Sequence, residues 1–311
     1  MHARGAMQSV SICICTYNRD RLLRQTLARV ARLLIPRDFD VEVVVIDNNS
    51  TDNTARVLAE AAAAGGPRIR SARETTPGIA AARNAAVALS TGQILLWLDD
   101  DVLIEPDWLQ RYAQVAEANP SAGFFGGPVR PHFEGTPPGW VLTLLPEIWQ
   151  AYALREFPPG WVRIDLDHLP FGANFASRRE VNEKVAFDPA LGRVGKDGGC
   201  LREESAFFEA ALDLGYGAVW LPDNPVQHVI PAERQTVRYL RGFYAIAGAT
   251  PPSAPRAATR VLGRPRWLWR EWVQNEIAFL LLRYTASPLR WFPHLKRASY
   301  ARGALFHRVR Q

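Results

Sequence analysis

Short apolar runs alternate with amphipathic stretches from the first residues onward. Val10 to Cys15 (VSICIC) mixes branched apolar with small residues, as a buried strand does, and stops at the polar loop Thr16-Tyr17-Asn18-Arg19. From Asp20, Leu23, Leu27, Val30 and Leu34 recur at helical spacing until Pro36. Val41 to Ile46 is a second apolar run, interrupted only by Glu42, and it ends in Asp47-Asn48-Asn49-Ser50-Thr51-Asp52. Ser50 or Asp52 is placed to cap an alanine-rich helix that runs to Ala64 and is stopped by Gly65-Gly66-Pro67. Ile69 to Ala72 reads as a short strand and Ile79 to Leu89 as a helix. Ile94 to Leu98 is a strand that runs straight into Asp99-Asp100-Asp101. Such alternation predicts an α/β fold with a parallel sheet and right-handed crossovers. The loops at 16–19, 47–52 and 99–101 then collect along one edge.

The second half is less periodic. It reads as a helix from Asp107 to Ala118, a strand from Phe124 to Val129, a Pro- and Trp-rich irregular insertion over 131–170, and a strand over Phe171-Gly172-Ala173-Asn174-Phe175-Ala176. A glycine-rich stretch, Gly192 to Cys200, leads into a helix opening near Glu203-Glu204. This helix is expected to turn Phe207, Phe208, Ala211 and Leu214 inward and to end at Gly215. Ala218 to Leu221 and Val226 to Val229 read as short strands, with His228 in the second, and Thr236 to Ala247 as a helix. Pro251, Pro252 and Pro255 mark a linker, beyond which positions 269, 272, 273, 277, 280, 281 and 284 are apolar at helical spacing. The expected division is a catalytic body over residues 1–250, split near 130 into nucleotide-binding and acceptor halves, and a helical tail over 251–311.

Charge changes this picture in one place. The formal net charge is +6, but residues 256–311 hold 12 Lys or Arg against Glu271 and Glu276 alone, leaving 25 basic and 29 acidic groups for the rest. Trp267, Trp269, Trp272 and Trp291 lie among those arginines, a composition suited to a membrane interface. The tail is therefore expected either to touch the anionic cytoplasmic face of a membrane or to pack as helices on protein. No run approaches the roughly 20 apolar residues of a spanning helix. Met1 to Ser9 is too short and polar to suggest a secretory signal. Cys13, Cys15 and Cys200 form no spaced pair and favour a reducing, cytoplasmic setting. The acidic body offers no continuous basic groove, so nucleic acid is not an expected partner.

Three adjacent carboxylates at a strand's carboxyl end repel one another and invite a hard cation. In extended backbone Asp99 and Asp101 would face one side and Asp100 the other. The alternative is a solvated turn ahead of the helix that starts near Pro106 and Asp107.

Taken in order, CTYNR at 15–19, VVIDNNSTDNT at 44–54, GIAAARNAA at 78–86, LDDD at 98–101, GANFASRRE at 172–180 and REES at 202–205 resemble the family 2 glycosyltransferases, inverting nucleotide-sugar enzymes of the GT-A fold. The resemblance runs from about Val10 to Gly248. It implies a Rossmann-like, mostly parallel sheet flanked by helices, with a C-terminal helical appendage. It also implies that Thr16, Tyr17, Asn18, Arg19, Asp47, Asn49, Arg83 and Asp100 meet the nucleotide, and that Asp99 and Asp101, with His228, hold Mn2+ or Mg2+ against the diphosphate. Gly172, Ala173 and Asn174 would border the donor sugar and acceptor. Where the family usually reads Glu-Asp this chain reads Glu203-Glu204, so Glu204 becomes the expected general base, with Glu203 as the alternative. The implied partners are a nucleotide-diphosphate sugar and a glycan or lipid-linked acceptor. Two other functions compete. A sugar nucleotidyltransferase would need a Lys- and Gly-rich N-terminal loop, which is not evident, and a non-catalytic nucleotide-sugar binder would keep the fold without turnover.

Overall fold

In the computed structural model, which describes residues 8–191, 203–249 and 259–306, the chain opens with β1 (Gln8–Thr16), α1 (Asp20–Val30), β2 (Phe39–Asp47), α2 (Thr54–Ala63), β3 (Arg68–Arg73) and α3 (Ile79–Leu89). It continues through β4 (Ile94–Asp99), β5 (Val102–Leu103), α4 (Trp108–Ala118), β6 (Ala122–Gly126), β7 (Val129–Phe133), α5 (Gly139–Ile148), β8 (Asn174–Arg178) and α6 (Arg179–Lys184). Then come α7 (Glu203–Asp213), β9 (Gly217–Trp220), β10 (Val226–Ile230), α8 (Val237–Gly248), α9 (Arg266–Leu282) and α10 (Pro288–Phe306). The glycine-rich stretch at 192–200 and the Pro251 to Pro255 linker lie outside the described residues.

Contacts divide the chain into two units, Met1–His132 with Ala153–Val229, and Phe133–Tyr152 with Ile230–Gln311. The first is built on a seven-stranded sheet in the order β3-β2-β1-β4-β8-β6-β9, parallel except that β8 runs against both its neighbours. Because side chains alternate along a strand, each central strand feeds two cores. Ile12, Ile14, Val45, Leu96 and Leu98 meet Leu23 and Leu27 of α1 and Trp108 and Tyr112 of α4. On the other face Val44, Ile46, Leu95 and Trp97 meet Ala82 and Ala86 of α3 and Phe207 and Phe208 of α7. Fully buried Trp97 stacks on Phe175 at 5.6 Å and donates its indole N–H to Ser177 Oγ at 3.0 Å, so its polar edge is satisfied.

The second unit is helical, with α10 packed against α5, α8 and α9. By contacts this unit begins at Ile230 and takes in 133–152, whereas the sequence placed the change near residue 250.

Three local expectations are corrected. The strand expected over Phe124 to Val129 is two strands broken at Gly127-Pro128, where Pro has no N–H to give a ladder. The insertion at 131–170 is not wholly irregular, for α5 buries Val141, Leu144 and Ile148; Pro146 within it masks the helical pattern. Leu214 is 57% exposed, because α7 has already ended at Asp213 and Gly215 turns the chain at φ +85°.

Candidate active site

Register assembles the site. Thr16 pairs with Asp47 across β1 and β2, and Cys15 with Asp99 across β1 and β4, so the three polar loops start side by side at the carboxyl edge of the parallel strands. The first two loops then clasp each other. The Asn18 N–H donates to Ser50 Oγ at 2.9 Å, the Thr51 N–H to Asn18 Oδ1 at 2.7 Å, and the Asp20 N–H to Asp52 at 3.0 Å. Asn18 and Asn49 both take left-handed backbone, φ 51° and 68°, which asparagine tolerates. Asp47 is buried and accepts from the Ser50 N–H at 2.8 Å, while Asn49 accepts from Arg73 Nε at 3.0 Å. Tyr17 stands exposed beside them.

After Asp99 the backbone turns, so the expected alternation of the aspartates does not occur. Asp100 and Asp101 both reach Arg19, whose Nη1 lies 2.8 Å from Asp100 Oδ1 and 2.9 Å from Asp101 Oδ2. Thr16 Oγ1 donates to Asp100 Oδ2 at 2.7 Å, and Thr26 Oγ1 contacts the carbonyls of Asp100 and Val102 at 3.0 Å each, pinning the turn from α1. The short β5 pairs with β10, setting His228 opposite Val102 and His228 Nε2 3.2 Å from Asp101 Oδ2. Burial, and then Asp101, push the Asp99 carboxyl up to about 6.

A second constellation lies at α3 and α7. Buried Arg83 donates from Nη1 to Glu203 Oε1 at 3.1 Å and to Glu204 Oε2 at 3.2 Å. Burial works against its charge, but Glu204, Glu203 and Asp99 outweigh that and raise its pKa. Burial raises the Glu204 pKa, with Arg83 and a hydrogen bond from the Gly172 backbone opposing. Gly172 fits because it has no side chain. A Cβ there would overlap Arg83 Nη2 and Glu204 Oε2.

The structure therefore brings Asp99 to Asp101 together with Thr16, Arg19 and His228, and Arg83 together with Glu203, Glu204 and Gly172. Asn174 stands apart. It is fully buried, its Oδ1 accepting from Trp108 Nε1 and Tyr112 Oη and its Nδ2 donating to the carbonyls of Pro128 and Asn224, all within 3.0 Å. Ala173 is likewise part of the core. Both side chains are packed inside the sheet's core. Thr26, Arg73 and Asn48 are supporting residues not singled out from sequence. Asn48 spans the loop before α3, donating to the carbonyls of Glu74 and Thr76 and accepting from the Gly78 N–H. A polar Thr26 on the apolar stripe of α1 was the available signal.

Five acidic groups, Asp99 to Asp101, Glu203 and Glu204, face two guanidiniums, Arg19 and Arg83. Among the described residues no group of three His, Cys, Asp or Glu side chains forms a ready-made metal cage. The donor set still fits an ion of the kind that takes one or two carboxylates from protein and the rest from substrate phosphates and water. Asp101 with His228, and Asp99 whose ionisation is opposed by burial and by Asp101, are the groups whose charge such an ion would relieve.

Residues 11–186 match the family model described as glycosyl transferase family 2. The succinoglycan biosynthesis protein ExoM of Rhizobium meliloti (strain 1021) is 28% identical over 232 residues, which cover 74% of this chain and 70% of that protein. Among solved structures, the mannosyltransferase PcManGT from Pyrobaculum calidifontis, in complex with GDP-Man and Mn2+, superposes with a TM-score of 0.58 at 18% identity, covering 97% of this chain and 88% of that one. The S. aureus TarS fragment 1–349, in complex with UDP-GlcNAc, does so with a TM-score of 0.53 at 15% identity, covering 96% and 89%. These likenesses show that the α/β fold is of the GT-A type. With the family model matching more than half its length, the chain belongs to glycosyl transferase family 2, a family of glycosyltransferase enzymes.

Proposed function

We propose that the protein is an inverting transferase that moves a sugar from a nucleotide-diphosphate donor to an acceptor hydroxyl by a single displacement, in the synthesis of a polysaccharide or a lipid-linked glycan. The observation that carries this reading is the facing of two acidic constellations, one at the strand ends and one at the start of α7, with Arg83 close to both. Loop 16–19, Asp47 and Asn49 would take the base and ribose, with Asp100 fixed by Thr16 and Arg19 beneath them. Asp99, Asp101 and His228 would hold Mn2+ or Mg2+, which when bound offsets the charge gathering on the leaving diphosphate. The names of ExoM and of the GDP-Man and Mn2+ complex support the polysaccharide setting and the metal.

Glu204 receives the acceptor's proton. The hydroxyl oxygen attacks the anomeric carbon, the bond to the diphosphate oxygen leaves with its electron pair, and the proton passes to the Glu204 carboxylate. A carboxylate whose pKa is raised by burial is a better base for this than an exposed one. Arg83, bonded through Nη1 and Nη2 to Oε2 of that carboxylate, sets the side chain's position. The Gly172 backbone N–H also donates to it.

Nucleoside diphosphate release from a panel of donors, with and without Mn2+, tests the reading. Glu204→Gln is expected to lower release at least a hundredfold while donor affinity changes less than threefold. Retained turnover in Glu204→Gln would move the base elsewhere, and pyrophosphate release in place of nucleoside diphosphate would indicate a nucleotidyltransferase.

A further inference from the structure

Helix α9 carries two apolar faces. Leu268, Asn275 and Phe279 are buried, with Phe279 edge-on to Trp291 of α10 at 5.8 Å and Asn275 Oδ1 2.9 Å from His294 Nδ1. On the other side Val273, Ile277, Leu280 and Tyr284 recur at i, i+4, i+7 and i+11, and all are exposed, Ile277 and Leu280 to 53% and 54% and Tyr284 to 81%. Leu281, 68% exposed, widens this stripe. Single exposed leucines are ordinary, whereas an aligned stripe of this length on one helix is an interaction surface.

Charge identifies what covers it. Arg266, Arg270 and Arg283 are exposed along the helix bearing the stripe, and residues 266–306 hold seven Lys or Arg against Glu271 and Glu276. Glu276 is itself neutralised by Arg241, at 2.6 Å from Nη2. A second copy of this chain would set seven cations against seven and is disfavoured. No helix among the described residues is long and apolar enough to cross a membrane. We infer that the exposed stripe of α9 lies in the interfacial layer of an anionic lipid bilayer, its apolar side chains among the acyl chains and its arginines on lipid phosphates. The contact deepens the proposed reading by placing the enzyme where a lipid-linked acceptor is found, but it rests on the helix alone and stands or falls without the transfer chemistry.

The test is co-sedimentation of the full chain with vesicles of phosphatidylcholine alone or with phosphatidylglycerol, at low and high salt. Binding is expected only with the anionic vesicles, weakening at least tenfold at high salt. The double variant Ile277→Glu/Leu281→Glu changes two exposed positions, so its melting temperature should match the parent while its binding falls at least tenfold. Equal binding to both vesicle types, no binding to either, or binding untouched by the double variant overturns the inference. So does a dimer in sedimentation velocity that the double variant dissolves, which would give the stripe to a second copy. Donor turnover in solution reports separately on the transfer chemistry.

Discussion

Glu42 is the one charge within the apolar run Val41 to Ile46 of β2, and its carboxylate holds the amino ends of the sheet together. Oε1 accepts from Ser11 Oγ at 2.7 Å, the Thr91 N–H at 2.6 Å and Thr91 Oγ1 at 2.8 Å, and Oε2 accepts from Arg70 Nη1 at 3.0 Å. Burial alone would raise its pKa, but hydrogen bonds from Ser11, Thr91 and Arg70 outweigh it and bring the group from 4.5 down to about 2. A depression of that size corresponds to about 3 kcal/mol of folding stability at neutral pH. The sign follows from the lowered pKa. This stability is present above the unfolded value of 4.5 and is lost as pH falls through the folded value of about 2. Glu42→Gln keeps the packing but faces an amide N–H2 toward Arg70 or Thr91, and should cost roughly 2–3 kcal/mol at pH 7. Urea denaturation of parent and variant between pH 7 and 3.5 checks this. The parent's stability should fall faster on acidification, with an extra slope approaching about 1.4 kcal/mol per pH unit near the acid end. A stability difference that stays constant across that range would refute the account, since it would mean that the carboxylate's charge contributes nothing.

Three other outcomes are expected. Gly172→Ala should displace the Arg83–Glu204 pair and reduce kcat/KM by roughly tenfold to a hundredfold, with a smaller change in melting temperature; normal kinetics would detach that pair from the reaction. Asn174→Ala leaves Trp108, Tyr112, Pro128 and Asn224 without their partner and should cost roughly 3 kcal/mol by denaturant titration, while donor KM of the folded variant is unchanged. Asp99 titrates near 6, so protons compete with a cation below that value; the thermal shift produced by Mn2+ with a nucleoside diphosphate should shrink steadily from pH 7 to pH 5. A shift that grows on acidification would contradict that assignment.

The parallel half of the fold was legible because its signals are local. Val10 to Cys15, Val41 to Ile46 and Ile94 to Leu98 each show a mostly apolar run ending in polar residues, and the structure places those ends side by side. What escaped depends on turns and tertiary contacts. Extended backbone through Asp99 to Asp101 was a reasonable default, yet Thr26 of α1 and Arg19 of the loop before it hold the carbonyls and carboxylates of that segment in a turn. Asn174 carries a polar side chain inside a conspicuous motif, and sequence cannot tell a ligand-facing amide from one saturated by Trp108 and Tyr112, which lie more than sixty residues away. In α9 the helical spacing was legible, and which face turns inward was not. Heptad-like positions 273, 277, 280 and 284 look as suitable for a core as Leu268, Asn275 and Phe279 do, until α10 selects between them.

The clasp between loops 16–19 and 47–52 also acts on folding. Apolar residues flank β1 and β2 on both faces, so hydrophobicity discriminates poorly between the native alignment and a slip of one position, which would exchange the faces of every side chain. The bonds joining Asn18 to Ser50 and Thr51, and Asp20 to Asp52, are available in one alignment only. Side chains proposed to meet the nucleotide would thus double as a vernier for the sheet, and damage to them would surface as misaligned strands.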